Sequence, residues 1–181
     1  MLRYRLVATL LGAVTTAVST LGSAEPLPTY VAARYRDALT TWFAAHVEYR
    51  VAVDADCACT EKLKAFRAGN SYAWPPDLNY HPYYILGDFR GDGAEDLAVG
   101  VISNAHPQEF QVLIVHGAVA GRSAVQDFLS EKFPLIGWGL HYGPPRAKPW
   151  RLTVGPNATV GILFEPTASG YTVIEPPTIM D

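Results

Sequence analysis

The chain of 181 residues has only two cysteines, few charged residues and no motif of a familiar enzyme class. Charged residues make up 17% of the sequence and the formal net charge is −3, which argues against nucleic acid or an anionic membrane as a partner. The chain has neither the Gly-x-Ser-x-Gly motif of serine hydrolases nor a glycine-rich phosphate-binding loop. We therefore expect a non-enzymatic binding or structural module. The alternative is a hydrolase or other enzyme whose site is assembled from scattered residues.

The N-terminus has the order of a secretory signal. Arg3 and Arg5 precede an uncharged stretch from Leu6 to Leu21, and small residues follow up to Ala24. This order predicts a cleavable signal peptide over residues 1–24. No cysteine lies near the junction to carry a lipid, so no membrane anchor is expected after cleavage. The sequence thus predicts a secreted or periplasmic protein in which residues 25–181 form a single globular domain.

Two helices are expected before a region of strands. Apolar residues recur at helical spacing from Thr29 to about Arg50, and a shorter helix is expected from Thr60 to Gly69. Residues 122–133 suit a short helix or a covering loop. These patterns predict an α+β fold with two N-terminal helices packed on a mainly antiparallel sheet of about five to seven strands. The expected strands lie near Tyr83–Leu86, Leu97–Ile102, Phe110–Val115, Trp150–Val154, Thr159–Phe164 and Tyr171–Ile174, with a weak one within Leu135–Tyr142.

The segment from Gly87 to Val99 is an acidic loop with regular spacing. Its sequence is GDFRGDGAEDLAV, which places carboxylates at the first, fifth and ninth loop positions and a backbone carbonyl at the seventh. Calcium takes about six to eight oxygen ligands, and such a loop with added waters nearly supplies them. The sequence therefore predicts a calcium site formed by Asp88, Asp92, the carbonyl of Ala94 and Asp96.

This segment resembles the strand–loop–strand signature of FG-GAP or VCBS-type repeats, which occur in integrin-like propellers and in many bacterial secreted proteins. The resemblance is confined to Gly87–Val99, and a propeller needs several copies, so a propeller fold is not implied. The chain is more similar to small exported bacterial proteins that carry a single such loop. For that group the resemblance implies no particular activity.

Arg90 departs from the pattern of these repeats. The resemblance implies Asn or Asp as a ligand at this position, whereas a guanidinium has no lone pair to offer a metal. One interpretation is a calcium site weakened by Arg90. The other is a metal-free turn in which Arg90 folds over the loop and pairs with Asp88 or Asp96, replacing the cation.

The two cysteines stand one residue apart. In an exported protein Cys57 and Cys59 are expected to form a local disulfide between the exit of the first helix and the start of the second. A redox-active or metal-binding thiol pair is the alternative.

Residues 71–84 are rich in aromatic side chains with polar tips. Trp74, Tyr80, His81 and Tyr83 are candidates for a surface that binds an envelope or extracellular protein or a glycan. The alternative is that these rings pack over one end of the sheet. A deep polar pocket that contains His81 or His141 beside a carboxylate would instead favour an enzyme.

Overall fold

The structure is a computed structural model that describes residues 26–69, 76–117, 128–144, 148–156 and 160–175. The segment 1–24, predicted to be a signal peptide, lies outside these residues. None of the helices in the described ranges is long and apolar enough to span a membrane.

Two α-helices and a short 3-10 helix precede most of the strands. Helix α1 covers Ala33–Ala45 and helix α2 covers Thr60–Ala68. Gly69, with φ of 72°, ends α2 as predicted, because glycine adopts this left-handed conformation without a steric penalty. The prediction that the first helix runs to about Arg50 is wrong, because Tyr49–Val51 is a strand, β1. Asp54–Cys57 forms the 3-10 helix, which lies between β1 and α2.

Nine strands lie in two antiparallel sheets within the described residues. After β1 they are Tyr84–Gly87 (β2), Asp96–Ser103 (β3), Glu109–Val115 (β4), Phe128–Pro134 (β5), Gly139–His141 (β6), Leu152–Gly155 (β7), Ile162–Thr167 (β8) and Gly170–Ile174 (β9). In the first sheet the order is β1-β3-β4-β5, and β2 pairs with β3 on the same edge as β1. The second sheet has the order β6-β7-β8-β9.

The α+β class is confirmed, but the sheet content differs from the prediction. Nine described strands in two sheets replace the expected five to seven in one sheet. Strand β5 lies where a short helix or a covering loop was expected. Its pattern is hard to read because Glu131 and Lys132 are adjacent and exposed, and because the pairing with β4 is irregular. At that irregularity the hydroxyl of Ser130 accepts a hydrogen bond from the N–H of Val112 at 2.8 Å.

Strand β3 connects the two main hydrophobic clusters. Every residue of β3 except the last is buried. Alternate side chains of a strand point to opposite faces, so one face of β3 joins a cluster with α1 while the other joins a cluster with β7 and β8. The acidic loop leads directly into this buried strand and is therefore anchored at its β3 end.

Candidate functional site

The acidic loop connects β2 to β3. These strands pair up to Gly87 opposite Asp96, so residues 88–95 form the connection. Gly91 and Gly93 have φ of 72° and 83°, a left-handed backbone that residues with a side chain rarely adopt. The two glycines are therefore the residues that let the chain reverse within so few positions.

The carboxylates of the loop hydrogen-bond to its own backbone. One oxygen of Asp88 accepts from the N–H of Asp92 and the other from the N–H of Gly93, both at 3.0 Å. Oδ1 of Asp92 accepts from the N–H of Ala94 at 3.0 Å. Asp88 and Asp92 thus stabilise the turn by accepting from backbone donors that the glycine conformations expose.

Arg90 joins the other carboxylates. Its Nη2 atom lies 2.9 Å from Oδ2 of Asp92 and 3.5 Å from Oδ1 of Asp96. The guanidinium therefore lies between two of the three aspartates that the sequence identifies as metal ligands. The interpretation that Arg90 pairs with Asp88 or Asp96 agrees with the Asp96 contact, and the second partner in the structure is Asp92.

Asp96 is the most buried charge of this group, with no exposed surface. Its Oδ2 accepts from the N–H of Phe89 at 3.2 Å, and its Oδ1 accepts from the N–H of Gly117 at 2.8 Å. Nδ1 of His116 lies 3.3 Å from the same Oδ1, off the line of a good hydrogen bond. Burial alone raises the pKa of Asp96, but the His116 contact, the Gly117 N–H and the Arg90 charge together outweigh it and hold this pKa below its usual value.

His116 and Gly117 are the site residues that sequence reasoning missed. A usable signal is present, because β3 and β4 pair with Leu97 opposite Val115, and one further step places Asp96 opposite His116. Gly117 is required by close approach, since a Cβ at this position would lie 2.1 Å from the carbonyl oxygen of Glu95.

Neighbouring side chains fix both sides of the loop. The hydroxyl of Tyr142 donates to the carbonyl of Asp88 at 2.8 Å, and the Tyr142 ring meets the buried ring of Phe89 edge to face. On the α1 side the Tyr35 hydroxyl donates to the carbonyl of Glu95, and the Glu95 side chain pairs with Arg34. The loop is thus bound to α1 and to the segment that follows β6.

The loop in this conformation does not fit a calcium ion. The charge of Arg90 lies between Asp92 and Asp96, and a cation there would be repelled. Across the described ranges, no group of three or more His, Cys, Asp or Glu side chains is placed to hold a metal. Calcium binding by Asp88, Asp92, Ala94 and Asp96 stays a prediction, and it requires Arg90 to move.

Cys57 and Cys59 form a disulfide, as predicted, with Cα atoms 5.1 Å apart. It joins the end of the 3-10 helix to the residue that precedes α2. Cys57 is 1% exposed and belongs to the main hydrophobic cluster. The burial of Cys57 favours a structural disulfide over the redox-active alternative.

A small pocket lies beside this disulfide and includes Lys62, Tyr80 and His141. The open volume is about 10 Å³, which is room for one water molecule. The His141 and Tyr80 rings stack at 5.6 Å between centroids, and Nζ of Lys62 donates to the carbonyl of Gly137 at 2.9 Å. None of the residues that line the pocket carries a carboxylate. The pocket is therefore not the deep polar site that would favour an enzyme.

The predicted aromatic surface is only partly at the surface. Tyr80 and Tyr83 are 6% and 1% exposed, which corrects the expectation that both belong to an exposed binding surface. Each packs into a hydrophobic cluster, and the Tyr83 hydroxyl donates to the carbonyl of Leu135 at 2.6 Å. Trp74 lies outside the described residues. His81 remains partly exposed and stacks on Tyr30 at 3.7 Å between ring centroids.

His81 belongs to a polar network that the sequence did not reveal. Its Nδ1 lies 3.0 Å from Oδ1 of Asp54, and Oδ2 of Asp54 pairs with Nη2 of Arg67 at 2.5 Å. Nε of Arg67 donates to the carbonyl of Tyr80 at 3.0 Å. Burial and the charge of Asp54 raise the pKa of Tyr30 to about 12, so its hydroxyl stays protonated at neutral pH. The network connects the 3-10 helix, α2 and the segment before β2.

Comparison of the chain with protein-family models, with curated proteins and with solved structures finds no match.

Proposed function

We propose that the protein is a non-enzymatic binding or structural module, secreted or periplasmic, whose acidic loop is closed by Arg90 in place of calcium. The observation that carries the proposal is the position of the Arg90 guanidinium, which contacts both Asp92 and Asp96. Because the positive charge of Arg90 is part of the chain, the loop needs no free metal ion. The loop therefore keeps one conformation whatever the calcium concentration. The loop then acts as a fixed turn and not as a sensor.

The contacts around the loop support this structural role. Asp88 and Asp92 accept from backbone donors within the turn, while Asp96 accepts from the N–H groups of Phe89 and Gly117. These hydrogen bonds hold the β2–β3 connection against Gly117, which lies just after the end of β4. The α1 residues that share a hydrophobic cluster with β3 and β4 support the packing of this helix on the first sheet.

The proposal places the working protein outside the cytoplasm. Its supports are the signal-like order of residues 1–24 and the Cys57–Cys59 disulfide, because disulfides persist in oxidising compartments. The partner is then an envelope or extracellular protein or a glycan. N-terminal sequencing of the protein from an exported fraction is expected to begin at Glu25, and a chain that keeps residues 1–24 would contradict this part of the proposal.

Replacement of Arg90 tests the loop assignment. In wild-type protein we expect no rise in the thermal unfolding midpoint with millimolar calcium, because the guanidinium already lies between Asp92 and Asp96. Arg90→Asn removes the positive charge and supplies an amide oxygen at the third loop position. The variant is expected to gain a calcium-dependent rise in midpoint, which calorimetry or circular dichroism measures.

The matched control is the double variant Arg90→Asn with Asp92→Asn. Like Arg90→Asn, this variant lacks the guanidinium, but it also lacks the Asp92 carboxylate. It is therefore expected to lose most of the calcium response. Magnesium at the same concentration controls for ionic strength. A wild-type midpoint that already rises with calcium would refute the Arg90-closed loop and support a calcium site.

One observation favours a second candidate, an envelope hydrolase. The Asp54–His81 pair has the separation of a carboxylate that orients a general base, since Nδ1 of His81 is 3.0 Å from Oδ1. Arg67 shares Asp54 and binds the carbonyl of Tyr80, which is more typical of a structural network. Hydrolysis of chromogenic esters or glycosides by wild type and its loss in His81→Ala, with the fold retained, would favour the enzyme.

A further inference from the structure

Asp92 and Gly93 form the only Asp-Gly pair in the sequence, which contains no Asn-Gly pair. An aspartate side chain can react with the peptide nitrogen of the next residue, and glycine permits this most readily because it has no Cβ to obstruct the approach. Both residues are exposed. A Cβ built at Gly93 would meet no atom of the described structure within 4 Å apart from its chain neighbours. Steric crowding therefore does not prevent the reaction at this point of the acidic loop.

The reaction that Asp-Gly pairs undergo is an isomerisation that needs only water. The nitrogen of Gly93 attacks Cγ of Asp92, and an N–Cγ bond forms. One carboxyl oxygen leaves as water after it takes up the amide proton and a proton from the solvent. Water then opens the resulting succinimide ring. Opening at the former backbone carbonyl leaves isoaspartate, in which the chain continues through the former side chain, and no electrons are gained or lost.

Hydrogen bonds in the loop engage both reacting groups. The N–H of Gly93 donates to Oδ2 of Asp88 at 3.0 Å. Oδ1 of Asp92 accepts from the N–H of Ala94 at 3.0 Å, and Oδ2 of Asp92 lies 2.9 Å from Nη2 of Arg90. A peptide nitrogen that donates to a carboxylate holds its proton more firmly, and a carboxylate with a donor on each oxygen does not turn freely toward that nitrogen.

We propose that Asp92 is a site of spontaneous isomerisation to isoaspartate, and that Asp88 suppresses the reaction by holding the N–H of Gly93. The reaction then requires a local opening of the loop, so its rate follows the population of the opened state. Isoaspartate adds a methylene to the backbone and shortens the side chain, so the modified loop loses its present Asp92–Arg90 contact. The proposal rests on the Asp88 hydrogen bonds and is independent of calcium binding.

Asp88→Asn in the full chain tests the proposal. Asparagine keeps the volume of the side chain but has one acceptor oxygen and no charge. Both proteins are incubated at neutral pH, and isoaspartate is measured by enzymatic methylation and assigned to Asp92 by peptide mass spectrometry. The loss of a hydrogen bond to a charged acceptor is expected to raise the rate at Asp92 about tenfold.

Asp77→Asn is the matched control. Oδ1 of Asp77 accepts from the N–H of Asn79 at 3.0 Å, so this variant makes the same chemical change outside the acidic loop. Its rate at Asp92 is expected to equal that of wild type. The thermal unfolding midpoint of each variant shows that the proteins stay folded during the incubation.

A synthetic peptide with the sequence of residues 87–99 gives the rate without the protection of the fold. The proposal predicts that wild type isomerises at Asp92 well below the rate of the peptide, with Asp88→Asn between the two. Equal rates in wild type and peptide would overturn it, and this comparison decides even if Asp88→Asn does not fold. A folded Asp88→Asn variant that is no faster than wild type would overturn it as well. A slower variant would do the same, because Asp88 would then promote the reaction by removing the amide proton.

Discussion

Replacing Asp96 by asparagine is expected to destabilise the protein more than any other change of one loop side chain. Asp96 has no exposed surface and accepts from two backbone N–H groups while it contacts two cationic or polar side chains, Arg90 and His116. Asparagine has nearly the same volume, so packing is preserved. Asparagine, however, has one oxygen where aspartate has two. Its NH2 group must therefore face the N–H of either Phe89 or Gly117, and that N–H loses its acceptor.

The magnitude follows from these contacts. A buried donor left without an acceptor costs about 1–3 kcal/mol, and breaking a buried charged pair costs about 3–5 kcal/mol. Arg90 keeps Asp92 as a partner, so the lower part of the second range applies. We expect Asp96→Asn to lower the free energy of unfolding by about 3 kcal/mol. Urea unfolding followed by tryptophan fluorescence measures this, with an unchanged m-value as the sign that the unfolded state is not affected.

Asp92→Asn is the matched control for this prediction. Asp92 contacts the same guanidinium, but its side chain is 34% exposed, so solvent screens the pair. Its replacement is expected to cost less than about 1 kcal/mol. The reasoning is refuted if Asp96→Asn lies within 1 kcal/mol of wild type, or if both variants lose the same stability.

Three further predictions concern pH, close packing and the disulfide. The folded-state pKa of Asp96 lies below its ordinary value of 3.8. The contribution of ionised Asp96 to the free energy of unfolding is therefore present above pH 3.8 and is lost as the pH falls through the folded-state pKa. In urea titrations the difference in stability between wild type and Asp96→Asn should persist at neutral pH and narrow below pH 3.8. Gly117→Ala places a Cβ 2.1 Å from the Glu95 carbonyl and is expected to cost about 1–3 kcal/mol, seen as a lower thermal midpoint, whereas an unchanged midpoint would show that the approach is not tight. Serine at both Cys57 and Cys59 removes a bridge that closes a loop of only three residues, Cys57–Cys59, for which loop-closure entropy predicts a loss of about 1.6 kcal/mol. Complete unfolding of this variant would contradict that estimate.

Local sequence signals predicted the elements that depend on local chemistry. Gly69 ends α2 because its backbone is left-handed, and the two cysteines pair because they are neighbours in an oxidised protein. The runs at 97–102 and 110–115 lie in β3 and β4 as predicted, because short runs of apolar and β-branched residues are typical of buried strands. These predictions needed no information about distant parts of the chain.

The remaining features depend on tertiary contacts. Strand β5 carries adjacent charges and pairs irregularly with β4, so its sequence alone does not indicate a strand. Tyr80 and Tyr83 have the composition of a surface loop, yet their rings enter hydrophobic clusters. The ring contact between Tyr171 and His116 joins residues far apart in sequence. The Asp96–His116 contact is the exception, because hairpin register alone would have placed it.

A crystal structure of the wild-type protein grown in millimolar calcium tests the central claim most directly. The claim predicts the Arg90 guanidinium between Asp92 and Asp96, with no cation in the loop. A cation coordinated by Asp88, Asp92 and Asp96, with Arg90 turned out into solvent, would contradict it.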